Sequence, residues 1–374
     1  MPVQEPRNGV ALPFQIYPAS TSESTIANAE TIIWASIRHL CSRGVAEWVA
    51  LKHDVHNKRS RSNIAHNLKL YVRQASEFYD AAGGAKPNTA PLIYYYSFLN
   101  LAKALCELRN PRFHEHQECY RHGLSWRPNP RRLVDLRTAT VSVTTRGVWH
   151  VLWEALTRRN CPAANPTKIN VLDLFSFCPE VNVEYDGVTG TRSRILELVS
   201  SSFMLDEASS EVWTRFSVSR SAMREFALSG PALGRLIQIA RSGYREVRSA
   251  NADQRVFESL NSAILMPNEV PISVLAEDVR AMNIFTHPGS GGKISFFIPL
   301  QSRLHVSMPQ ILVSYTILFW LGSLVRYDPH SVSSLMDSQY WMLSDGFMSQ
   351  SRLWLLELFE WALYQAETVI SSAR

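Results

Sequence analysis

QASEFYDAAGG (residues 74–84), PLIYYYSFLNLAKALCELRNPRFH (91–114) and RHGL (121–124) together decide how this chain is read. Asn88 or Thr89 can cap a helix with Pro91 in its first turn, and the pattern runs on to about residue 108. That helix is too apolar to lie on a surface. Tyr96, Asn100, Lys103 and Glu107 follow i, i+4, i+7, i+11 spacing, so one thin polar stripe crosses an otherwise apolar cylinder. A buried Lys needs a partner, most simply Glu107 one turn on or an acid from another helix. Asn110-Pro111 then reads as a second start, Asn at N-cap and Pro at N1, with Arg109 just before a short helix and His114 one turn inside it.

Working outward, residues 1–23 are rich in Pro, Ser, Thr and Glu and read as a flexible tail. Helical spacing returns at 24–50 and, after a basic break at 52–61, at 65–82, where Gly83-Gly84 ends it. TATVSVTTRGVWHVLWEAL (138–156) begins as an alternating strand and becomes a helix. Residues 195–204 and 212–218 read as strands around an acidic turn, and 230–249 as helix. Residues 270–300 read as strands around a THPGSGGK turn. The last quarter is helical again, at 309–326, 331–343 and 351–371.

The fold class is therefore α+β, predominantly helical: an N-terminal helical region at 24–125, a mixed α+β region at 126–306 inserted in it, and C-terminal helices at 307–374 packing back on the first bundle. Both 91–108 and 309–326 need an all-round apolar environment, which they can supply to each other.

The chain has 374 residues, 46% apolar and 19% charged, enough for a sizeable core and too apolar for disorder. Its net charge of +5 suits an acidic partner. The five cysteines, Cys41, Cys106, Cys119, Cys161 and Cys178, form no C-x-x-C pair and read as reduced thiols of a cytoplasmic protein. Cys119 with His114, His116 and His122 lacks the paired short spacing of a structural zinc site, so no metal and no cofactor is expected. ILVSYTILFWLGSLV (311–325) falls short of the roughly 20 residues that cross a bilayer, and the N-terminus carries no leader pattern. HPGSGGK (287–293) has the composition of a phosphate loop but not its spacing, and reads as a hairpin turn. No G-x-S-x-G, H-E-x-x-H or G-x-G-x-x-G motif appears.

QASEFYDAA, PLIYYYSFLNLAKAL and HGL, followed far downstream by YTILFWLGSLVRYDP (315–329), resemble the YaaC-like family of bacterial proteins over most of the chain. That resemblance brings no agreed activity with it. YYYSFLNLAKAL followed by HGL is also similar to the helical core of HEPN domains, many of which are RNases, toxins or antiviral effectors. Their site is an Arg, a polar residue and, a few residues on, a His. Arg109, Asn110 and His114 match that pattern, which implies metal-independent RNA cleavage: the imidazole moves a proton while the guanidinium neutralises charge on the phosphorane. A symmetric homodimer would bring two copies together.

Lys103, Arg112, Arg121, Arg127, Arg131 and Arg132 are interleaved with Phe113, Tyr120 and Trp126, a mixture that suits single-stranded RNA. Arg326, with His330 nearby in LVRYDPH, joins this set if the two helical ends form one bundle. Two functions stand: an RNA-directed effector, with ribonuclease chemistry at Arg109 and His114 in stress or phage defence, or a non-catalytic interaction protein whose helices bind a partner protein or a second copy.

Overall fold

Two apolar helices lie side by side at the centre of the helical part of the chain: α4 (Ala90–Arg109) and α9 (Gln310–Tyr327). The structure, a computed structural model, describes residues 4–12, 14–15, 26–128, 131–157, 160–161, 167–229, 233, 243–264, 285–288, 294–299, 308–364 and 369–370. The fold is mixed α+β, mainly helical, with antiparallel sheets, and it divides into two units. One unit comprises Pro18–Ser193 and Met308–Ala366; the other comprises Met1–Tyr17, Arg194–Ser307 and Glu367–Arg374. Residues 126–193, expected in the inserted region, thus belong with the helices.

In the helical unit, α1 (Ile26–Arg38), α2 (Arg43–Lys52) and α3 (Lys58–Gly83) precede α4. The break expected at 52–61 is confined to residues 53–57: Lys58 already opens α3, because Asn57 caps it by accepting from Ser60 N at 3.0 Å. α4 packs against α3, where Ser97 Oγ donates to Ala75 O at 2.7 Å, and against α9, as the apolar patterns require. Residues 310–324 are buried without interruption. Gly322 lets the two helices close up: a Cβ there would sit 3.4 Å from Leu92 Cα.

The strand-then-helix reading of 138–156 holds. β4 (Thr140–Val143) pairs with β3 (Leu124–Ser125) and β5 (Thr167–Asn170), and α5 (Val148–Thr157) follows. Trp149 Nε1 of α5 donates to Thr316 Oγ1 at 3.1 Å, fixing α5 on α9. Short α6 (Val171–Phe175) and α7 (Asn182–Thr189) complete the middle. At the end, α10 (Pro329–Met336) is capped by Asp328, and α11 (Trp341–Tyr364) starts ten residues earlier than its pattern suggests.

The second unit is an antiparallel sheet built on β6 (Ile195–Asp206) and β7 (Glu211–Ser219), the pair expected around the acidic turn. A bulge near Ser200 re-aims β6. Residues 244–247, expected to be helical, form strand β8 (Tyr244–Val247). It follows Gly243 at φ +60° and pairs with β9 (Gln254–Ser259), which meets its backbone hydrogen-bonding needs. Helix α8 (Arg220–Glu225) follows β7, and β10 (Ala263–Ile264) pairs with β7. β11 (Phe285–Pro288) and β12 (Ile294–Pro299) pair as a hairpin should, while 289–293 lie outside the described residues.

The expected tail is not loose where it is described. β1 (Val10–Leu12) pairs with β6, β2 (Phe14–Gln15) pairs with β13 (Val369–Ile370), and Arg7 is anchored on the fully buried Glu258 of β9. Arg215 and Arg245 reach the same carboxylate from β7 and β8. Burial alone would raise the Glu258 pKa, but the hydrogen bonds from Arg215 and Arg7 and their charges bring it below its ordinary value. A carboxylate with a depressed folded pKa stabilises at pH above its unfolded value, and that contribution fades as pH falls through the folded value. Glu258→Ala should therefore cost this unit about 2–3 kcal/mol at neutral pH, discounted because the three arginines still reach water, and less in acid. Urea midpoints at pH 7 and pH 3 check this; an equal loss at both would remove the electrostatic account.

Candidate functional site

The polar stripe of α4 is the spine of the site. Tyr94, Tyr95 and Tyr96 leave the helix about 100° apart and so meet three different neighbours. Tyr94 accepts from Arg352 Nη1 at 3.1 Å, Tyr95 turns to α9 and His122, and Tyr96 stacks on Phe78 and accepts from Arg326 Nη1 at 3.2 Å.

A cleft of about 350 Å³ opens over this part of α4. Five aromatic side chains line it, Tyr95, Tyr96, Trp126, Phe319 and Tyr327, with His122, Arg127 and Arg326 among them. No acidic side chain lines it among the described residues. Phe319, Gly322, Ser323 and Arg326 come from the last turns of α9, so the packing of α9 on α4 makes the cleft.

His122 sits within the HGL signature. Its Nδ1 lies 2.6 Å from Tyr95 Oη, which lies 3.2 Å from Tyr315 Oη. The backbone is fixed by α5 and the turn before it: Val148 N donates to Arg121 O at 2.8 Å and Trp149 N to His122 O at 3.1 Å, while Thr144 N, just after β4, donates to Gly123 O at 3.0 Å. Burial, and then the charges of Lys103 and Arg326, hold the imidazole below its ordinary pKa. Burial holds the Tyr95 and Tyr315 phenols above theirs, so both stay protonated.

At the far end of the stripe, eleven residues or about 16 Å of helix away, stands Glu107, which is 0% exposed. It accepts from Asn67 Nδ2 at 3.0 Å, His114 N at 3.0 Å, Arg112 N at 3.3 Å and His114 Nδ1 at 2.9 Å. A carboxylate only accepts, so Nδ1 carries the ring proton in that bond. Asn67 Nδ2 stands 2.8 Å from the same Nδ1, and Nε2, on a ring that is one-third exposed, lies 3.7 Å from Glu115 Oε1. Burial of Glu107 against these donors also answers the expectation for Lys103. Glu107 is taken by His114 and Asn67; Lys103 is half-buried and makes no ion pair among the described residues.

The remaining candidates are placed as follows. Arg109 ends α4, half-buried, and Asn110 caps its C-terminus, donating to Cys106 O at 2.8 Å instead of opening a new helix. Arg112 takes a left-handed φ of +79°, pairs with Glu115 and turns the chain so that His114 returns to Glu107. Arg121, Arg131, Arg132 and His330 are exposed and do not line the cleft; Arg127 and Arg326 do. His122, Tyr95 and Tyr315 were given no role by the sequence, although HGL and the Tyr triplet stand out in it. Among the described residues no His, Cys, Asp and Glu cluster could hold a metal ion, and no helix is long and apolar enough to cross a membrane.

Fold and site together define a helical unit with an aromatic, cationic cleft at one end of a polar stripe and a carboxylate-held imidazole at the other. The chain belongs to the YaaC-like protein family, whose model matches residues 42–360. No curated protein matches the chain, and no solved structure does.

Proposed function

We infer that the protein is RNA-directed and holds a single strand along the polar face of α4, bases among the cleft aromatics and phosphate on Arg326 and Arg127. What carries this is the lining: five rings and two guanidiniums, with no carboxylate among the described residues. Rings stack on bases of any sequence, and arginines take the phosphates. Partly exposed Lys103, which makes no ion pair among the described residues, extends the cationic track towards Glu107.

A second reading adds cleavage, and the Glu107–His114 pair favours it. A buried carboxylate that fixes Nδ1 leaves Nε2 aimed for proton transfer, the arrangement a general base needs. With Arg109 and Asn110 beside it, this is the HEPN-type reading of the helical unit, an effector whose second copy in a homodimer supplies the complementary acid.

A fluorescent oligouridylate titrated by anisotropy at several salt concentrations tests both readings. Arg326→Ala should weaken binding about tenfold, the worth of one charge-assisted hydrogen bond, and flatten the salt slope. Lys69→Ala, exposed on α3 outside the cleft, should leave binding within about twofold. His114→Ala should keep affinity and abolish cleavage. Absence of salt-sensitive binding overturns the RNA reading and leaves the non-catalytic interaction protein.

A further inference from the structure

The cleft carries more positive charge than one internal phosphodiester can neutralise. Arg127 and Arg326 line it, the charge of Lys103 acts on His122 in its wall, and among the described residues no carboxylate lines it. An internal phosphate brings a single negative charge; a terminal phosphomonoester brings close to two at pH 7. The space also suits one base with its phosphate, since about 350 Å³ is at the small end of ligand pockets.

The inner wall adds a group that can answer the second charge. Tyr95 Oη bridges His122 Nδ1 and Tyr315 Oη, and the two hydroxyl protons can run in either direction along this chain. Run towards His122, they leave Nε2 as a donor; run away, they leave it as an acceptor. Among the described residues, the titratable and charged groups that share the cleft with His122 or act on it are Tyr95, Tyr96 and Lys103 from α4, Tyr315, Arg326 and Tyr327 from α9, Arg127 beyond the HGL turn, and His150 from α5 beside Gly123. None of these is a carboxyl group, so among the described residues no anionic side chain favours a charged imidazole. A dianion arriving at the cleft reverses that balance.

We propose that the cleft is a terminal-nucleotide pocket, which takes one nucleotide bearing a phosphomonoester and protonates His122 as the phosphate enters. This rests on the RNA reading of the cleft and narrows it to an end of the strand or a free mononucleotide, which share the chemistry. His122 is a specificity-determining residue here: its proton comes from solvent, no covalent bond changes, and discrimination follows from the charge it adds. At pH 7 its depressed pKa keeps it neutral in the free protein; the bound dianion raises that pKa, so binding draws in a proton.

Titration calorimetry on the full chain tests it, with adenosine 5′- and 3′-monophosphate, adenosine, inorganic phosphate and the diester-linked dinucleoside ApA. Each is measured at pH 7 in two buffers of different ionisation heat. The monoesters should bind at least about tenfold tighter than ApA, one charge-assisted hydrogen bond's worth. Wild type should take up more protons per nucleotide than His122→Gln; the difference cancels any titration of the ligand itself. Should His122→Gln fail to fold, exposed Arg127→Gln keeps the test alive, because it should lower the monoester preference at least about threefold. A phosphorylated octamer binding tighter than its hydroxyl-ended twin assigns the pocket to RNA ends; a preference confined to mononucleotides assigns it to a free nucleotide. Salt-sensitive binding of hydroxyl-ended oligouridylate, with no monoester preference and no His122-dependent proton uptake, overturns this proposal alone. No binding of any of these probes overturns the RNA reading with it.

Discussion

Glu107→Ala is expected to destabilise the helical unit by about 3–5 kcal/mol, the range for breaking a buried charged network by removing one partner. The carboxylate is wholly inaccessible and serves four donors: one side-chain amide, one imidazole and two backbone N–H groups. The alanine leaves the two backbone N–H groups without this acceptor, while Asn67 Nδ2 and His114 Nδ1, 2.8 Å apart, have only each other, and each orphaned donor that stays buried costs about 1–3 kcal/mol. Water reaching the one-third-exposed His114 recovers part of that, which keeps the total near the stated range. Glu107→Gln should cost less, because its carbonyl can still accept, but its amide nitrogen faces donors wherever it points. The readout is the urea midpoint at constant slope. His114→Ala on top of Glu107→Ala should cost much less than it does alone, since the two groups share one bond. Additive effects would show that the pair is not coupled, and with that the case for an oriented base at His114 would lapse.

The neighbours that the apolar patterns select were legible from the chain; the partners of the polar groups were not. Residues 91–108 and 309–326 announce burial on all sides, and a helix with that property can satisfy it only against a similar one; α4 and α9 do so. The stripe Tyr96, Asn100, Lys103 and Glu107 was equally readable, because it follows from helical periodicity alone. Its pairings depended on distant chain. Glu107 looked matched to Lys103 one turn back, yet the left-handed turn at Arg112 brings His114 and two backbone amides closer, and Asn67 arrives from another helix. Tyr95 and Tyr315 lie 220 positions apart, and no local pattern ties either to His122. Strand β8 was misread for a related reason. A short segment takes the structure its neighbour's backbone offers, and β9 offers a free edge.

Gly147→Ala should be the more damaging of two glycine substitutions and should collapse the wall of the cleft without touching a side chain that lines it. Gly147 has φ +143°, a region L-residues rarely enter. A Cβ there would stand 2.3 Å from Gly123 N, 2.6 Å from Gly123 Cα and 2.7 Å from Arg121 O. All three are backbone atoms, so no rotamer change relieves the contact. The only escape is to push residues 121–123 off the start of α5. That breaks the bonds from Val148 N to Arg121 O and from Trp149 N to His122 O, and with them the seat of His122. A cost of about 4 kcal/mol or more is expected, in the range reserved for backbone strain and core disruption. In a unit of this size that lowers the melting midpoint by roughly 10 °C. Gly44→Ala is the matched control: it lies within α2 with nothing within 4 Å of the added carbon, and should stabilise by about 0.5–1 kcal/mol through helix propensity alone. If Gly147→Ala keeps the wild-type midpoint and also keeps nucleotide affinity, the tight seam between the HGL turn and α5 is not what positions His122. The imidazole would then owe its place to Tyr95 alone, and Tyr95→Phe should release it.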